Sequence, residues 1–341
     1  MKALKYIVFF LLILIIGLAI YIAVQPNNYE FSRSRIINAP KQLLFNEVND
    51  YKNWPQFSPW IEKEPNAALN YGEKTSGVDG SYSWLGDILG EGNMTTTAVN
   101  KDQSINQQIK FIKPFESQSD ISWTFKDTTG GTKVTWNMKG KQDFMTKMYT
   151  TFKGSIEDNT APDFERGLFK LDSIVVKSMQ IYDVKVDGIT EYGGGFYMFK
   201  TTSANGANIS QIMGKQYGEI MTFMSKNNIK QSGMPFTIYN EMNTENGNII
   251  MSQAIPVQNK VDITLGSEVL CGYIPKTRTL KTTLKGNYTN LPVAWKTAMA
   301  YLKDNNLEQS DAKPFEIYQN DPGNFPNPAD WVTEVYIPIK E

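Results

Sequence analysis

Pro314-Phe315-Glu316-Ile317-Tyr318, followed by Thr333-Glu334-Val335-Tyr336-Ile337-Pro338-Ile339, decides how this chain is read. It sets two carboxylates and two tyrosines in apolar, strand-forming sequence. An earlier stretch echoes it. Asn227-Asn228-Ile229-Lys230-Gln231-Ser232 leads through Pro235-Phe236-Thr237-Ile238-Tyr239 to Ala254-Ile255-Pro256-Val257. Asn305-Asn306-Leu307-Glu308-Gln309-Ser310 leads in the same way through Phe315–Tyr318 to Tyr336-Ile337-Pro338-Ile339. The pattern reads as an internal duplication with a period of about 80 residues. Two such units bury their apolar faces by packing on each other, and the groove between them is the natural pocket. Laid on one another, Thr237 falls on Glu316 and Ser252 on Glu334. The second copy thus has carboxylates where the first has hydroxyls, which gives an otherwise apolar groove one acidic side.

The 341 residues suffice for two ordinary domains plus extras. Lys and Arg number 34 against 35 Asp and Glu, so no overall charge draws the chain to nucleic acid. Histidine is absent, which removes the commonest general base and metal ligand at neutral pH. The single cysteine, Cys271, excludes an intrachain disulfide and a cysteine zinc site. It sits in a strand-like run, Glu268 to Ile274, and reads as a small buried apolar residue. Neither a metal nor a cofactor is expected.

At the N-terminus, Lys2 and Lys5 precede an unbroken apolar run from Tyr6 to Val24. As a helix, these about 19 residues span about 28 Å, close to a bilayer core. No small-residue cleavage site follows, so residues 1–26 read as an uncleaved, single-pass membrane anchor. The basic tail places the N-terminus in the cytoplasm and the rest of the chain outside it. Arg33, Arg35 and Lys41 beyond the run weaken that orientation, and a cleaved signal peptide would lead to the same compartment.

Residues 28–178 read as one α+β unit. Tyr29–Ile37 is a strand, and Asn38 is expected to cap a helix from Pro40 carrying Leu43, Leu44, Phe45 and Val48. An aromatic turn runs from Asp50 to Trp60. Alternation then marks strands at Ile105–Phe111, Ile121–Phe125 and Val134–Met138. A helix from Pro162 to about Met179, capped by Thr160, closes the unit. Asn53-Trp54-Pro55-Gln56-Phe57-Ser58-Pro59-Trp60, Tyr82-Ser83-Trp84 with Gly90-Glu91-Gly92-Asn93-Met94, and Gly131-Thr132-Lys133-Val134-Thr135-Trp136 carry a resemblance. The unit resembles START-like (SRPBCC, polyketide cyclase type) domains. That resemblance implies a helix-grip fold, a curved sheet around the last helix with an apolar cavity, but no particular reaction. Trp84, Phe111, Trp123, Trp136 and Met138 are candidate walls of that cavity, with ordinary core the better reading for each.

Residues 179–341 follow without a Pro- or Gly/Ser-rich linker. Gly193-Gly194-Gly195 permits a tight turn, with no Lys-Ser/Thr after it to make a phosphate loop. A helix follows (Ile209, Ile212, Met213, Tyr217, Ile220, Met221, Met224), then strands Phe236–Met242 and Ile249–Val257. Strands Glu268–Ile274 and Lys276–Lys285, a helix Leu291–Leu302 and the opening strand pair complete the order. Lys285-Gly286-Asn287-Tyr288, Pro314-Phe315-Glu316-Ile317-Tyr318-Gln319-Asn320-Asp321-Pro322 and Thr333–Ile339 match a known pattern. This duplicated β-α-β-β arrangement resembles the GyrI-like small-molecule-binding domain, the effector-binding domain of multidrug-sensing regulators. Those regulators join it to a DNA reader. Here a membrane anchor and a START-like domain precede it, and no basic recognition helix is visible, so no nucleic-acid partner is expected.

On the last strand Val332, Glu334 and Tyr336 share one face and Thr333, Val335 and Ile337 the other, and alternation leaves the buried face open. The resemblance points Glu334 into the pocket, ringed by Tyr288, Trp295, Tyr318 and Tyr336. There it would attract lipophilic cations by charge and cation–π contact. Glu316 completes the candidate set, although a solvated strand residue is its simpler reading. The expected function is binding or sensing of an apolar, amphipathic or cationic small molecule by a bacterial-type membrane protein. A GyrI-like subset hydrolyses strained electrophilic rings, which gives a second reading with Glu334 as base and Tyr336 as proton donor. A third is an envelope scaffold or partner-binding module. The missing histidine favours binder over enzyme.

Overall fold

The computed structural model describes residues 2–205, 208–242 and 247–341. Its contacts divide into two compact units, Met1–Lys177 and Ser178–Glu341. Each is mixed α and β, and among the described residues each holds one antiparallel sheet.

The first unit opens with helix α1 (Lys2–Val24), whose segment Leu4–Val24 is long and apolar enough to cross a membrane. Strand β1 (Asn28–Ile37) follows, then α2 (Lys41–Asn49), α3 (Trp54–Phe57) and α4 (Pro59–Lys63). Six strands complete the sheet: β2 (Ala68–Tyr71), β3 (Ser81–Gly86), β4 (Gly90–Asn100), β5 (Ser104–Lys113), β6 (Ser117–Thr128) and β7 (Gly131–Lys141). Their order is β1-β7-β6-β5-β4-β3-β2. Helices α5 (Phe144–Lys153) and α6 (Ile156–Met179) end the unit.

Two expected helix starts differ. The residue before α2 is Pro40, with no side-chain capping bond, so Asn38 is not the cap. Helix α6 begins at Ile156 and runs through Pro162. Ser155 and Asp158 open it with a reciprocal pair of bonds, Asp158 N–H to Ser155 Oγ at 3.0 Å and Ser155 N–H to Asp158 Oδ2 at 3.0 Å. Thr160 therefore lies inside the helix. Proline was read as a first helical residue, where its missing N–H costs least, but it is tolerated one turn further in.

An aromatic pile fills the space between sheet and α6. Trp136 stacks on Trp123 with centroids 4.2 Å apart and on Phe164 of α6 at 4.1 Å. Trp54 meets both tryptophans edge-on. Gly167 lets α6 approach this pile.

The second unit contains β8 (Asp183–Tyr192), β9 (Gly195–Asn205), α7 (Ile209–Lys226), β10 (Phe236–Met242) and β11 (Asn248–Val257). Then come β12 (Leu270–Ile274), β13 (Thr277–Lys285), α8 (Leu291–Asp304), β14 (Phe315–Tyr318) and β15 (Val332–Pro338). The sheet order is β12-β9-β11-β10-β14-β15-β13-β8. Strand β9 was not read from the sequence. At the sheet centre β10 pairs with β14, with Phe236 opposite Ile317, Thr237 opposite Glu316 and Ile238 opposite Phe315. Backbone bonds recur on either side of this seam. Tyr239 N–H reaches Pro314 O at 2.9 Å, and Tyr318 N–H reaches Pro235 O at 3.0 Å. Asn228 and Asn306 both take φ of 54°, one residue past the C-caps of α7 and α8.

Helices α7 and α8 pack on one face. Leu280, Leu284, Ala294, Ala298, Leu302, Val335 and Ile337 form the cluster under α8, and Met198, Ile220, Met224, Ile255 and Val257 form that under α7. The other face carries Phe236, Ile238, Ala254, Phe315, Ile317 and Tyr336. The central strands are therefore covered on both sides.

A Cβ on Gly167 would stand 2.8 Å from Trp136 Cζ3 and 3.3 Å from Pro59 Cδ. Gly167→Val is expected to cost about 1–3 kcal/mol through overpacking, read as a lower midpoint in urea unfolding followed by tryptophan fluorescence. An unchanged midpoint would show that helix and ring part freely.

Candidate functional site

The second unit places one carboxylate in its interior. Glu316 stands on the helix-facing side of β14 and is 1% exposed. Tyr239 donates its hydroxyl to Glu316 Oε2 at 2.8 Å and Tyr318 donates to the same oxygen at 3.0 Å. Trp295, on the inner side of α8, donates Nε1–H to Oε1 at 2.5 Å. No lysine or arginine pairs with Glu316 among the described residues. Burial raises its pKa above the ordinary carboxylate value, and the bonds from Trp295, Tyr239 and Tyr318 act against that rise. Tyr239 and Tyr318 are pushed well above the ordinary phenol value, first by burial and then by the charge of Glu316. Neither hydroxyl ionises near neutral pH, so each remains a donor.

The seam partner of Glu316 is built alike with weaker groups. Thr237 on β10 meets Tyr217 of α7, whose hydroxyl lies 3.0 Å from Thr237 Oγ1. Tyr318 OH also lies 3.2 Å from Thr237 Oγ1. Next along the row is Gln253, which pairs with Thr237 across β10 and β11. Gln253 is fully buried, and neither its Nε2 nor its Oε1 has a hydrogen-bond partner. Gln216 Oε1 on α7 is also buried without one. Buried amides are usually hydrogen-bonded, so these groups stand out along the row. Above this polar row stand Tyr217, Tyr288 and Trp295, each only partly buried. Tyr288 packs edge-on against Tyr318 at 5.6 Å, and burial, then Asp321 and Glu316, raise its pKa to about 12.

Glu334 is placed otherwise. It lies on the opposite face of β15 and pairs with Lys281 Nζ at 2.7 Å. Gln319 Nε2 and Tyr336 OH donate to its Oε2 at 2.6 and 2.9 Å. Lys281 also stands 5.9 Å from the Tyr336 ring centre. Of the aromatics expected around Glu334, only Tyr336 bonds it, whereas Trp295 and Tyr318 bond Glu316, and Tyr288 packs on Tyr318. The reading of Glu316 as a solvated residue is corrected by its burial. Strand β14 is covered on both faces, so no water remains for the alternate side chain. Tyr239 and Tyr217 escaped notice as site residues, yet the repeat could have found Tyr239, because it occupies the position of Tyr318.

On the helix-free face an open groove of about 520 Å³ is lined by Tyr192, Tyr197, Phe199, Ile238, Tyr273 and Phe315, among others. Its polar floor is Ser252, bonded to Thr201 at 2.8 Å and by Asn240 at 2.8 Å. In the first unit the expected cavity residues Trp84, Trp123, Trp136 and Met138 are buried, and Phe111 meets Trp84 edge-on at 5.9 Å. Trp123 donates to Gln107 at 3.1 Å, and Trp136 Nε1 is buried without a partner.

Residues 37–169 match the family model described as polyketide cyclase / dehydrase and lipid transport. Residues 197–340 match that of the GyrI-like small molecule binding domain. The chain joins a domain of each family. Small-molecule binding is the property that these domains indicate. No curated protein matches the chain. Among solved structures, the EcmrR C-terminal domain is 17% identical, with a TM-score of 0.40 over 48% of this chain and 99% of that one. EcmrR in a complex with DNA is 16% identical, with a TM-score of 0.41 over 59% of this chain and 87% of that one. Protein CV1439 from Chromobacterium violaceum is 15% identical, with a TM-score of 0.34 over 44% and 98%.

The buried acid of the GyrI-like domain makes stability depend on pH with a definite sign. A carboxyl whose folded pKa lies above its unfolded value of 4.5 stabilises fully below 4.5 and loses that contribution as pH rises through the folded value. The wild type is expected to lose stability relative to Glu316→Gln across that window, measured by chemical denaturation at a series of pH values. A difference that stays flat from pH 4.5 upward would show that Glu316 titrates as it does in water.

Proposed function

We propose that the GyrI-like domain binds a lipophilic cation between α7 and α8, with Glu316 as its counter-charge. One observation carries this reading: a buried carboxylate held by two tyrosines and a tryptophan, with no cation of its own among the described residues. An ionised carboxylate out of water is costly unless paired. A ligand cation supplies the pair, and the faces of Trp295, Tyr217 and Tyr288 supply cation–π contact. The unpartnered Gln253 amide offers a donor and an acceptor beside it. Glu334 does not serve this role in the reading, because Lys281 already neutralises it.

Several finer features belong to the same proposal. The second unit is a duplicated β-α-β-β module spanning 179–341, supported by the matched backbone bonds on either side of the Thr237–Glu316 seam. The first, 28–178, is a helix-grip domain, supported by the placement of α6 against the aromatic pile. Helix α1 is an uncleaved anchor, supported by the apolar length of Leu4–Val24, and both domains lie outside the cytoplasm, supported by Lys2 and Lys5 ahead of that run.

The test is calorimetric titration with tetraphenylphosphonium and a neutral isostere. Glu316→Gln is expected to weaken cation binding roughly 100-fold, about 2.8 kcal/mol, and to leave the isostere almost unaffected. Glu334→Gln and Thr201→Trp, which fills the groove on the other face, are expected to leave cation binding intact. Loss in Thr201→Trp with retention in Glu316→Gln would move the ligand to that groove and overturn the assignment. The raised carboxyl beside two tyrosine hydroxyls also favours a second reading, hydrolysis of strained electrophiles with Glu316 as base. Turnover that vanishes in Glu316→Gln and survives in Glu334→Gln would establish it, whereas turnover intact in Glu316→Gln would end it.

A further inference from the structure

Helix α5 is amphipathic in the wrong sense for a soluble domain. Its polar side faces the protein: Lys147 is 5% exposed and the half-buried Thr150 bonds Gln142 at 3.2 Å. Its apolar side faces out, with Phe144, Met145, Tyr149 and Phe152 between 46% and 66% exposed. At 100° per residue these four fall within one 140° arc. The helix is nonetheless well specified. Asp143 caps it through Thr146 N–H at 2.7 Å, and Gly154 ends it at a φ of 90°.

Its place in the fold says what covers that face. Lys147 Nζ donates to Ala23 O at 3.1 Å and to Asn27 Oδ1 at 2.5 Å. The buried ammonium thus satisfies the carbonyl end of α1, where the membrane-length helix stops. Ile22, unlike its exposed neighbours along α1, is buried there. The ladder extends this level across the sheet, because Asn28 pairs with Lys141, Gly140 with Ser119, Gln118 with Lys110, and Lys113 with Glu91. The turns at this end expose Ile88 at 71% and Phe115 at 65%. At the far end the β4–β5 and β6–β7 turns, Asn100-Lys101-Asp102-Gln103 and Thr128-Thr129-Gly130-Gly131, are polar, and the β2–β3 loop exposes Val78 at 46% but no aromatic tip. Exposed aromatics at one end, beside a helix of membrane length, are the composition of a bilayer interface.

We propose that the end of the first unit bearing α5 and the β3–β4 and β5–β6 turns docks on the surface of the bilayer that α1 crosses. The docking rests on the spanning reading of α1. It seats the outward face of α5 in the headgroup region and holds the unit upright through Lys147, which is a positioning residue.

The full chain in nanodiscs, in a Cys271→Ser background, carries one nitroxide at a time at Phe152, Met145, Phe115, Lys101 or Leu12. Collisions with oxygen and with a water-soluble nickel chelate report lipid and water. All five are exposed positions, Leu12 on the apolar surface of α1, and thermal melts verify that each labelled protein folds as the parent does. The expected result is loss of nickel collision with retained oxygen collision at Phe152, Met145 and Phe115, full nickel access at Lys101, and a deep lipid signal at Leu12. Nickel access at Phe152, Met145 and Phe115 equal to that at Lys101, with Leu12 deep, overturns the docking and leaves the span standing. Shielding of the α5 labels from both probes overturns it in favour of a protein cover. Nickel access at Leu12 removes the spanning reading, and the docking with it.

Discussion

Glu316 is the constraint around which the second unit is arranged. A carboxylate taken wholly out of water loses several kcal/mol of solvation, and the fold must return most of it locally. Three donors do so, and all three are aromatic: Tyr239 and Tyr318 from the strands, Trp295 from α8. Aromatic donors solve two problems at once. Their polar tips satisfy the acid, and their rings fill the volume between helix and sheet without bringing in a second polar group that would need partners of its own. A lysine in the same place would have neutralised the charge and closed the site. Glu334 shows that alternative on the opposite face, where Lys281 pairs with it and Gln319 and Tyr336 occupy its remaining oxygen.

Two polar rows across the same sheet have the same plan and differ in chemistry. On the helix face Tyr217 bonds Thr237 as Trp295 bonds Glu316, each an aromatic residue reaching from a helix to the central strand beneath it. On the other face Asn240 donates to Ser252 as Gln319 donates to Glu334. In each pair one member is a hydroxyl and the other a carboxylate. A hydroxyl both donates and accepts, so it settles within the protein, whereas an ionised carboxylate only accepts and keeps an excess of charge. The Thr237 hydroxyl is thereby met within the protein, whereas Glu316 is bonded by neutral donors alone among the described residues. Gln253, a buried amide on β11, stands next to Thr237 in the same row.

Much of this frame is legible in the sequence because a strand with one wet face alternates, as Ile105–Phe111 and Val134–Met138 do. The sequence echo of Phe236–Tyr239 in Phe315–Tyr318 likewise points to the two strands that pair at the sheet centre. What the pattern hides is the side to which a doubly covered strand turns each residue. Strand β14 is four residues long and buried throughout, so Phe315 and Glu316 look equally placed until the helices are put on one face. The acid was therefore sought on β15, where Glu334 has a tyrosine two residues away, just as Glu316 does. Strand β9 is hidden differently: Gly195 to Asn205 mixes aromatics with lysine and threonine at no clear period, and most of its side chains are half-buried or exposed on both faces. The start of α6 was misplaced because Pro162 resembles a first helical residue more than one in the second turn.

The helices of the two units obey one rule with opposite results. Helices α7 and α8 turn Ile220, Met224, Ala294, Ala298 and Leu302 inward, and burial of that apolar area holds them to the sheet. Helix α5 turns threonines and a lysine inward and its aromatic residues outward, so apolar burial within the unit cannot be what retains it. Its attachment is polar instead, through the Lys147 ammonium on Ala23 and Asn27 and through its capped N-terminus. Such a helix gains its apolar stabilisation only when an outside phase covers it. Among the described residues, α1 is long and apolar enough to cross a membrane, and Lys147 joins the two helices. In the proposed docking, folding of the helix and its seating on the bilayer are separate contributions, the first internal and polar, the second external and apolar, with the Lys147 contact to α1 fixing where the aromatic face is presented.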